Sequence, residues 1–325
     1  MNTIRRALAA LTFVLACALG VVCLAAALIA QAGRLDPWLD LLTHFAPVWF
    51  AGSLVVASGG LLLRAGRRRQ ALLVLGVLGG VAAGALMAPE LTRPTSPPGP
   101  AGSSPTLRLI QFNAWDQNTN PRAAADWIAG QHPDVVAIEE MTPALRRALE
   151  ARGFVYAKGM VTTAVFSRGL SPTAHFLIPG SDWPILPDFA RASFLAPGGH
   201  GRFTVVVVHL CWPTLNKFWG QPAAFVRLLE RQPRDRLIVV GDLNLTPWSF
   251  ALARLDRGFG LERRDRAIAS WPVMRRLGRD IVSLPAILPI DHIYAGSAWR
   301  TVAVRRGPRL GSDHYPIVAD LALAD

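Results

Sequence analysis

Apolar residues follow two regimes along this chain. Through the first ninety positions they run almost unbroken. From Ala7 to Ala30 the only polar side chains are Thr12 and two cysteines. That stretch exceeds the roughly 20 residues a helix needs to cross a hydrocarbon core. A second uncharged run covers Leu41 to Leu63 and a third, rich in Gly and Ala, covers Ala71 to Ala88. The pattern predicts three membrane-spanning helices in a membrane region over residues 1–88. A cleavable signal peptide is the alternative for the first run, since Arg5 and Arg6 precede it. It is disfavoured by the absence of a small-x-small site before a polar start. Residues 89–105 (PELTRPTSPPGPAGSSP) have no apolar period and read as a linker.

From residue 106 to 325 short strand-like runs alternate with helical segments, the rhythm of an α/β domain. Leu107 to Phe112 alternates apolar and polar, with Asn113 at its end. Asn120-Pro121 supplies a cap and first-turn proline for a helix to about Gly130. Pro133 to Ile138 reads as a strand ending in Glu139-Glu140, and Pro143 opens another helix. Adjacent residues on a strand point to opposite faces, so at most one of the two glutamates is expected to join a site. Val161 to Ser167 and Thr204 to Leu210 are strand-like, the second a four-valine run buried on both faces with His209 at its end. A helix is expected from Phe218 to Arg231. Ile238 to Val240 then leads into Gly241-Asp242-Leu243-Asn244-Leu245-Thr246-Pro247, where Asp242 and Asn244 project the same way from a strand end. Near the C-terminus, Asp291-His292 and Asp313-His314 each set an acid beside an imidazole.

Composition adds two constraints. Of three cysteines only Cys211 lies outside the first apolar run, so no disulfide can form within the α/β domain. The net charge of +12 is shared unequally: eight arginines face three acids before residue 106, leaving about +7 for the domain. A surplus of this kind suits phosphate-bearing partners, and equally a solvated Arg-rich surface.

Strand-end polar residues carry the candidate chemistry: Asn113, Glu140, His209, Asp242, Asn244, Asp291, Asp313 and His314. Carboxylates and amides with few imidazoles suit a hard cation such as Mg²⁺, whereas Zn²⁺ would want more His or Cys. Each residue has an ordinary alternative: Asp242 and Asn244 as helix caps, His209 as a core imidazole, Asp291 as a strand-end cap. The chain has no GxxxxGK[ST] loop and no GxSxG elbow, which removes the main support for nucleotide-triphosphate and serine-hydrolase readings.

Taken in order, IQFNAW, PDVVAIEE, VVVVHL, GDLNLTP, IDHI and SDHYPI resemble the blocks of the endonuclease/exonuclease/phosphatase superfamily, over roughly residues 106–325. The resemblance implies a DNase I-like four-layer α/β sandwich, two mixed sheets flanked by helices. It implies a Mg²⁺-dependent phosphoester hydrolase, with Mn²⁺ or Ca²⁺ as other suitable ions. Glu140 would hold the metal with Asn113 and Asp313. Asp242, helped by Asn244, would orient and deprotonate the attacking water, His209 and His314 would donate to phosphate oxygens, and Asp291 would orient His314. Glu139 stands where the family has Gln, and no second acid for His209 is visible in the sequence. The implied partners are a bilayer and a phosphoester substrate, nucleic acid or a phospholipid headgroup; no protein partner is inferred. Trp212, Phe218 and Trp219, just after the His209 strand, would serve a lipid substrate, or be core or lid. A membrane-tethered binding module with a weak site is the reading from another class, and no missing block favours it.

Basic residues set the expected topology. Arg5, Arg6, Arg64, Arg67, Arg68 and Arg69 precede the first span or lie between the second and third, and only Arg34 lies in the other short loop, so residues after 90 should emerge outside the cytoplasm of a bacterial inner membrane. An alkaline phosphatase fused after Ser104 should be active and a green-fluorescent fusion there dark. The opposite pair of signals would place the domain in the cytoplasm and remove the third span.

Overall fold

A computed structural model describes residues 2–95, 106–172, 185–196, 201–215, 220–230, 232–278 and 280–323. Phe218, Trp219, Arg231 and the linker from 96 to 105 lie outside the described residues. The chain divides into two compact units, one of residues 1–93 with 246–253 and one of residues 94–245 with 254–325.

Three long apolar helices dominate the first unit, α1 (Asn2–Gln31), α3 (Ala46–Leu61) and α4 (Arg67–Thr92), with the short α2 (Pro37–Asp40) between the first two. With the 3₁₀ turn Leu41–Phe45, α2 and α3 make a 25-residue segment, so three segments are long and apolar enough to cross a membrane. Pro47, which is tolerated in a helix's first turn, helps begin α3 afresh instead of continuing one helix from Leu41. Helix α4 starts before the expected Ala71 and runs past Pro89, which sits in its closing turns. There Glu90 and Arg93 pair at 3.0 Å. Small residues let these helices approach closely: a Cβ at Gly76 would stand 2.5 Å from the amide nitrogen of Ala57.

The second unit is built on two sheets. In chain order its elements begin with β1 (Thr106–Asn113), α5 (Pro121–Gly130), β2 (Val135–Glu139), α6 (Pro143–Glu150), β3 (Val155–Lys158) and β4 (Ala164–Ser167). They continue through β5 (Asp188–Leu195), β6 (Arg202–His209), α7 (Gln221–Glu230), β7 (Leu237–Asp242) and α8 (Phe250–Phe259). The last are β8 (Glu262–Arg263), β9 (Met274–Leu277), β10 (Asp280–Ser283), β11 (Asp291–Ala295), β12 (Trp299–Arg306) and β13 (Ile317–Leu323). One sheet has the order β12-β13-β1-β2-β4-β3 and the other β5-β6-β7-β11-β8, while β9 and β10 form a separate hairpin. Both sheets are mixed: β1/β2 and β6/β7 are parallel and the remaining pairs antiparallel.

Side-chain alternation explains the layers. Leu107, Leu109, Val135, Ala137, Val205, Val207, Ile238, Val240, Ile293 and Ala319 meet between the sheets in one core. The intervening Ile110, Phe112, Val136 and Ile138 face outward and bury Ala124, Ile128, Leu145 and Leu149 of α5 and α6. On the other sheet the rings of Phe189, Phe225, Phe259 and Tyr294 contact in sequence at 5.8, 5.8 and 5.0 Å. Val205 to Val208 are all buried, as the four-valine run predicted. The strand expected from Val161 begins only at Ala164, because the amides of residues 161, 162 and 163 all donate to the Asp188 carboxylate at 3.0, 2.7 and 3.1 Å.

Gly241 has a steric obligation. Its φ is 151°, and a Cβ there would lie 1.8 Å from the carbonyl oxygen of Val208 on the adjacent strand. Gly241→Ala should therefore destabilise the domain by about 3 kcal/mol or more. Gly130→Ala, with nothing within 4 Å of its Cβ, should be neutral or slightly stabilising. Thermal midpoints of the two variants in detergent decide the point, and an unaffected Gly241→Ala protein would contradict the packing.

Candidate active site

Alternation along the inner faces delivers the site. Each inward stripe ends in polar residues at the same end of the sandwich: Leu109 gives way to Gln111 and Asn113, Ala137 to Glu139, Val207 to His209, and Val240 to Asp242. Asp291 opens β11 directly opposite Asp242, and residues 312–314 lead into β13 beside the end of β1. Parallel pairing brings the C-terminal ends of β1 with β2 and of β6 with β7 side by side.

Asp242 is the hub. One oxygen accepts from Asn113 Nδ2 at 3.0 Å and stands 3.6 Å from His314 Nε2 and 3.7 Å from His209 Nε2. Its other oxygen accepts from the Asn244 amide at 2.9 Å. Asn244 has a φ of 52°, and its side-chain amide donates to Leu210 O at 2.8 Å, tying the loop to the end of β6. Helix α8 is capped by Ser249, whose hydroxyl accepts from the Leu252 amide. Asp242 and Asn244 are thus free of that role.

His314 is held from both sides. Its Nδ1 donates to Asp291 at 2.8 Å, and its backbone amide donates to Ser312 Oγ, which itself donates to Asn113 O. Asp291 is fixed in turn by Gln111 Nε2 at 2.7 Å, and the same amide group donates to Glu139 at 3.0 Å.

Glu139 and Glu140 depart from the expected alternation. Glu139 faces inward and is fully buried. Glu140 takes a left-handed φ of 49° just after the strand, so its carboxylate also reaches the site. There it accepts from Asn113 Nδ2 at 3.0 Å and from the Asp116 amide at 3.2 Å, and lies 3.7 Å from His209. Glu140 and Asp242 are the nearest carboxylates to His209 among the described residues, each at 3.7 Å and neither in hydrogen-bond contact. His292 points to the opposite face from Asp291. Its ring nitrogens meet Asp265 and Leu245 O, both at 2.8 Å, so this imidazole braces the loop after Asp242 and takes no part in the site.

Burial and charge sort the protonation states. Burial, reinforced by Asp291 and Asp242, pushes the Glu139 carboxyl well above the usual carboxylate range. Burial likewise pushes Asp242 up, to about 6, against the pull of His314. His314 is buried, which opposes its charge, but Asp291 and Asp242 outweigh that and raise it to about 10. Asp291 accordingly stays below the usual carboxylate range despite burial. Burial raises Asp313, whose Oδ2 accepts from Trp271 Nε1 at 3.1 Å.

Two donor sets differ in how well they suit a divalent cation. Donor atoms of Asp242, Asp291 and His314 lie within 4.8 Å of one another. A protonated His314, bonded to Asp291, has no lone pair to give, so this triad makes a poor cage. Glu140, Asp313 and the Asn113 side-chain carbonyl offer hard oxygens instead, the last accepting one bond, from the Trp115 amide. Asp313 Oδ1 is buried without a hydrogen-bond partner among the described residues. Oxygen donors with an unsatisfied carboxylate fit Mg²⁺-type coordination.

The sequence did not single out Gln111 or Ser312, and it gave Glu139 no role in the site. Gln111 lies two residues before Asn113, and that spacing alone puts both amides on one face.

Comparison with known families gives one match, the Endonuclease/Exonuclease/phosphatase family, over residues 110–314. No curated protein matches the chain. Among solved structures, an endonuclease/exonuclease/phosphatase from Beutenbergia cavernae DSM 12333 is 19% identical with a TM-score of 0.52, covering 68% of this chain and 72% of its own. One from Bacteroides vulgatus is 17% identical at 0.52, covering 68% and 100%. A D. rerio TDP2 complexed with single strand DNA product is 17% identical at 0.51, covering 67% and 99%. At these identities the likeness concerns the fold.

Asp291→Asn separates a positioning role from a merely structural one. The amide keeps the shape but cannot stabilise a charged imidazole, so turnover should fall about 10- to 100-fold with a small change in thermal midpoint. Unchanged turnover with a lowered midpoint would make Asp291 a structural cap.

Proposed function

The chain belongs to the endonuclease/exonuclease/phosphatase family, and we propose that it is a membrane-anchored, divalent-cation-dependent phosphodiesterase with nuclease-like activity. The observation that carries this reading is the convergence on Asp242. A single carboxylate oxygen there faces Asn113, His209 and His314 at 3.0, 3.7 and 3.6 Å.

Phosphoester hydrolysis is accelerated chiefly by positioning water and by neutralising charge on the transferring group. Asp242 is poised for the first task. With an affinity for protons near pH 6 it is ionised at neutral pH yet still basic, the range in which a general base works well. Asn113 and the Asn244 amide fix both of its oxygens, so it is oriented before a water arrives. His314, cationic and aimed by Asp291, offers Nε2–H to a phosphate oxygen. His209, partly exposed, offers a second donor from the neighbouring strand end. Glu140, with Asn113 and Asp313, would hold Mg²⁺, Mn²⁺ or Ca²⁺, and the bound ion would neutralise developing phosphate charge.

The apolar helices of the first unit support anchoring to a bilayer, and the bias of arginines supports an extracytoplasmic catalytic domain.

Asp242→Ala and His314→Ala should each lower turnover of a phosphodiester on the order of 10² to 10⁴. EDTA should abolish activity and added Mg²⁺ restore it. Near-full turnover in either variant, or activity indifferent to EDTA, would overturn this assignment.

A further inference from the structure

Beside His314 lies a cleft of about 700 Å³ that shares only Asp313 with the catalytic reading. Three tryptophans from separate parts of the chain line it. Trp115 follows Asn113 with a φ of 58°, Trp212 follows the His209 strand, and Trp271 precedes the β9/β10 hairpin. Trp271 is held by its bond to Asp313, meets Trp212 edge-on at 5.0 Å and 67°, and lies 6.5 Å from the His314 ring. Trp212 nevertheless keeps 41% of its surface exposed. From the hairpin, Arg275 and Arg276 line the same cleft, exposed and without an ion-pair partner among the described residues.

Charge and shape together select the occupant. A phosphocholine headgroup offers the indoles its ammonium and the arginines a single phosphate, whereas successive nucleotides offer a flat ring for each indole and a phosphate for each guanidinium. An anionic headgroup without a flat ring would satisfy the arginines and leave the indoles idle. A nucleotide uses both: its base has a π-face for an indole, and its phosphate has charge for arginine. A base can lie on an indole only when it is unpaired and unstacked. We propose that this cleft binds single-stranded nucleic acid, stacking a base near the scissile phosphate on Trp212 and Trp271 and contacting the adjoining phosphates through Arg275 and Arg276. The inference rests on the phosphodiesterase reading of the neighbouring site and names its substrate class.

Binding and turnover, measured separately on the full-length protein in detergent, distinguish the two claims. In EDTA, fluorescence anisotropy compares a labelled oligothymidylate with an abasic oligomer of equal length. The oligothymidylate should bind about tenfold or more tightly, and Trp212→Ala should erase most of that preference. Because a truncated indole can disturb folding, a second variant sits on the exposed hairpin. Arg275→Ser with Arg276→Ser should weaken binding and reduce the slope of log affinity against log salt by about 0.7 for each arginine lost. Equal binding of the two oligomers, an unchanged salt slope, or tighter binding of duplex than of single strand would overturn the proposal. So would Trp212-dependent binding of phosphatidylcholine vesicles in place of the oligonucleotide. Turnover of the abasic oligomer with Mg²⁺ reports on the catalytic reading alone, since it carries no ring to stack on the indoles.

Discussion

Two side-chain amides on one strand hold this site together. Gln111 and Asn113 stand on the inner face of β1, and each reaches across to the opposite sheet, Gln111 to Asp291 and Asn113 to Asp242. A carboxylate taken out of water without partners is heavily penalised, so the sandwich can close over these acids only if donors meet them from the facing sheet. Each amide group donates to two acids, the second being Glu139 for Gln111 and Glu140 for Asn113. The spacing of the sheets and the placement of the candidate catalytic groups are therefore one requirement.

Crowding of acids also divides their work. Glu139, Asp242 and Asp291 are all buried, and three like charges cannot share that volume. Burial pushes the Glu139 carboxyl well up, His314 holds Asp291 below the usual range, and Asp242 is left between them at about 6. Such separation of neighbouring carboxyls is how one fold obtains acid and base roles at a single pH. Burial thus opposes the charge that a Glu brings in place of the family's Gln.

Backbone strain marks the same region. Trp115, Glu140 and Asn244 all hold left-handed φ values of 58°, 49° and 52°, and each directly follows or lies just beyond a strand that ends at the site. For non-glycine residues this conformation is sparsely occupied and persists where surrounding contacts fix it. Here those contacts are functional groups: the Trp115 amide donates to Asn113 Oδ1, the Glu140 carboxylate meets Asn113, and the Asn244 amide meets Asp242.

The sequence by itself determined the three apolar segments, the α/β rhythm, the family blocks and the strand ends on which the polar residues stand. These are local properties, set by hydrophobic period, turn chemistry and proline or glycine position. It also placed Asp291 beside His314 in role, through the resemblance. Local pattern misled where a tertiary contact intervened: Asp188 captured the amides of residues 161–163, and a left-handed turn brought Glu140 round to join Glu139. Only the tertiary structure could show that Gln111 and Glu139 belong to the site, that His292 does not, and that three tryptophans meet in one cleft. Those facts depend on which residues face each other across two sheets far apart in sequence, such as Gln111 and Asp291, and no period along a single strand encodes that pairing.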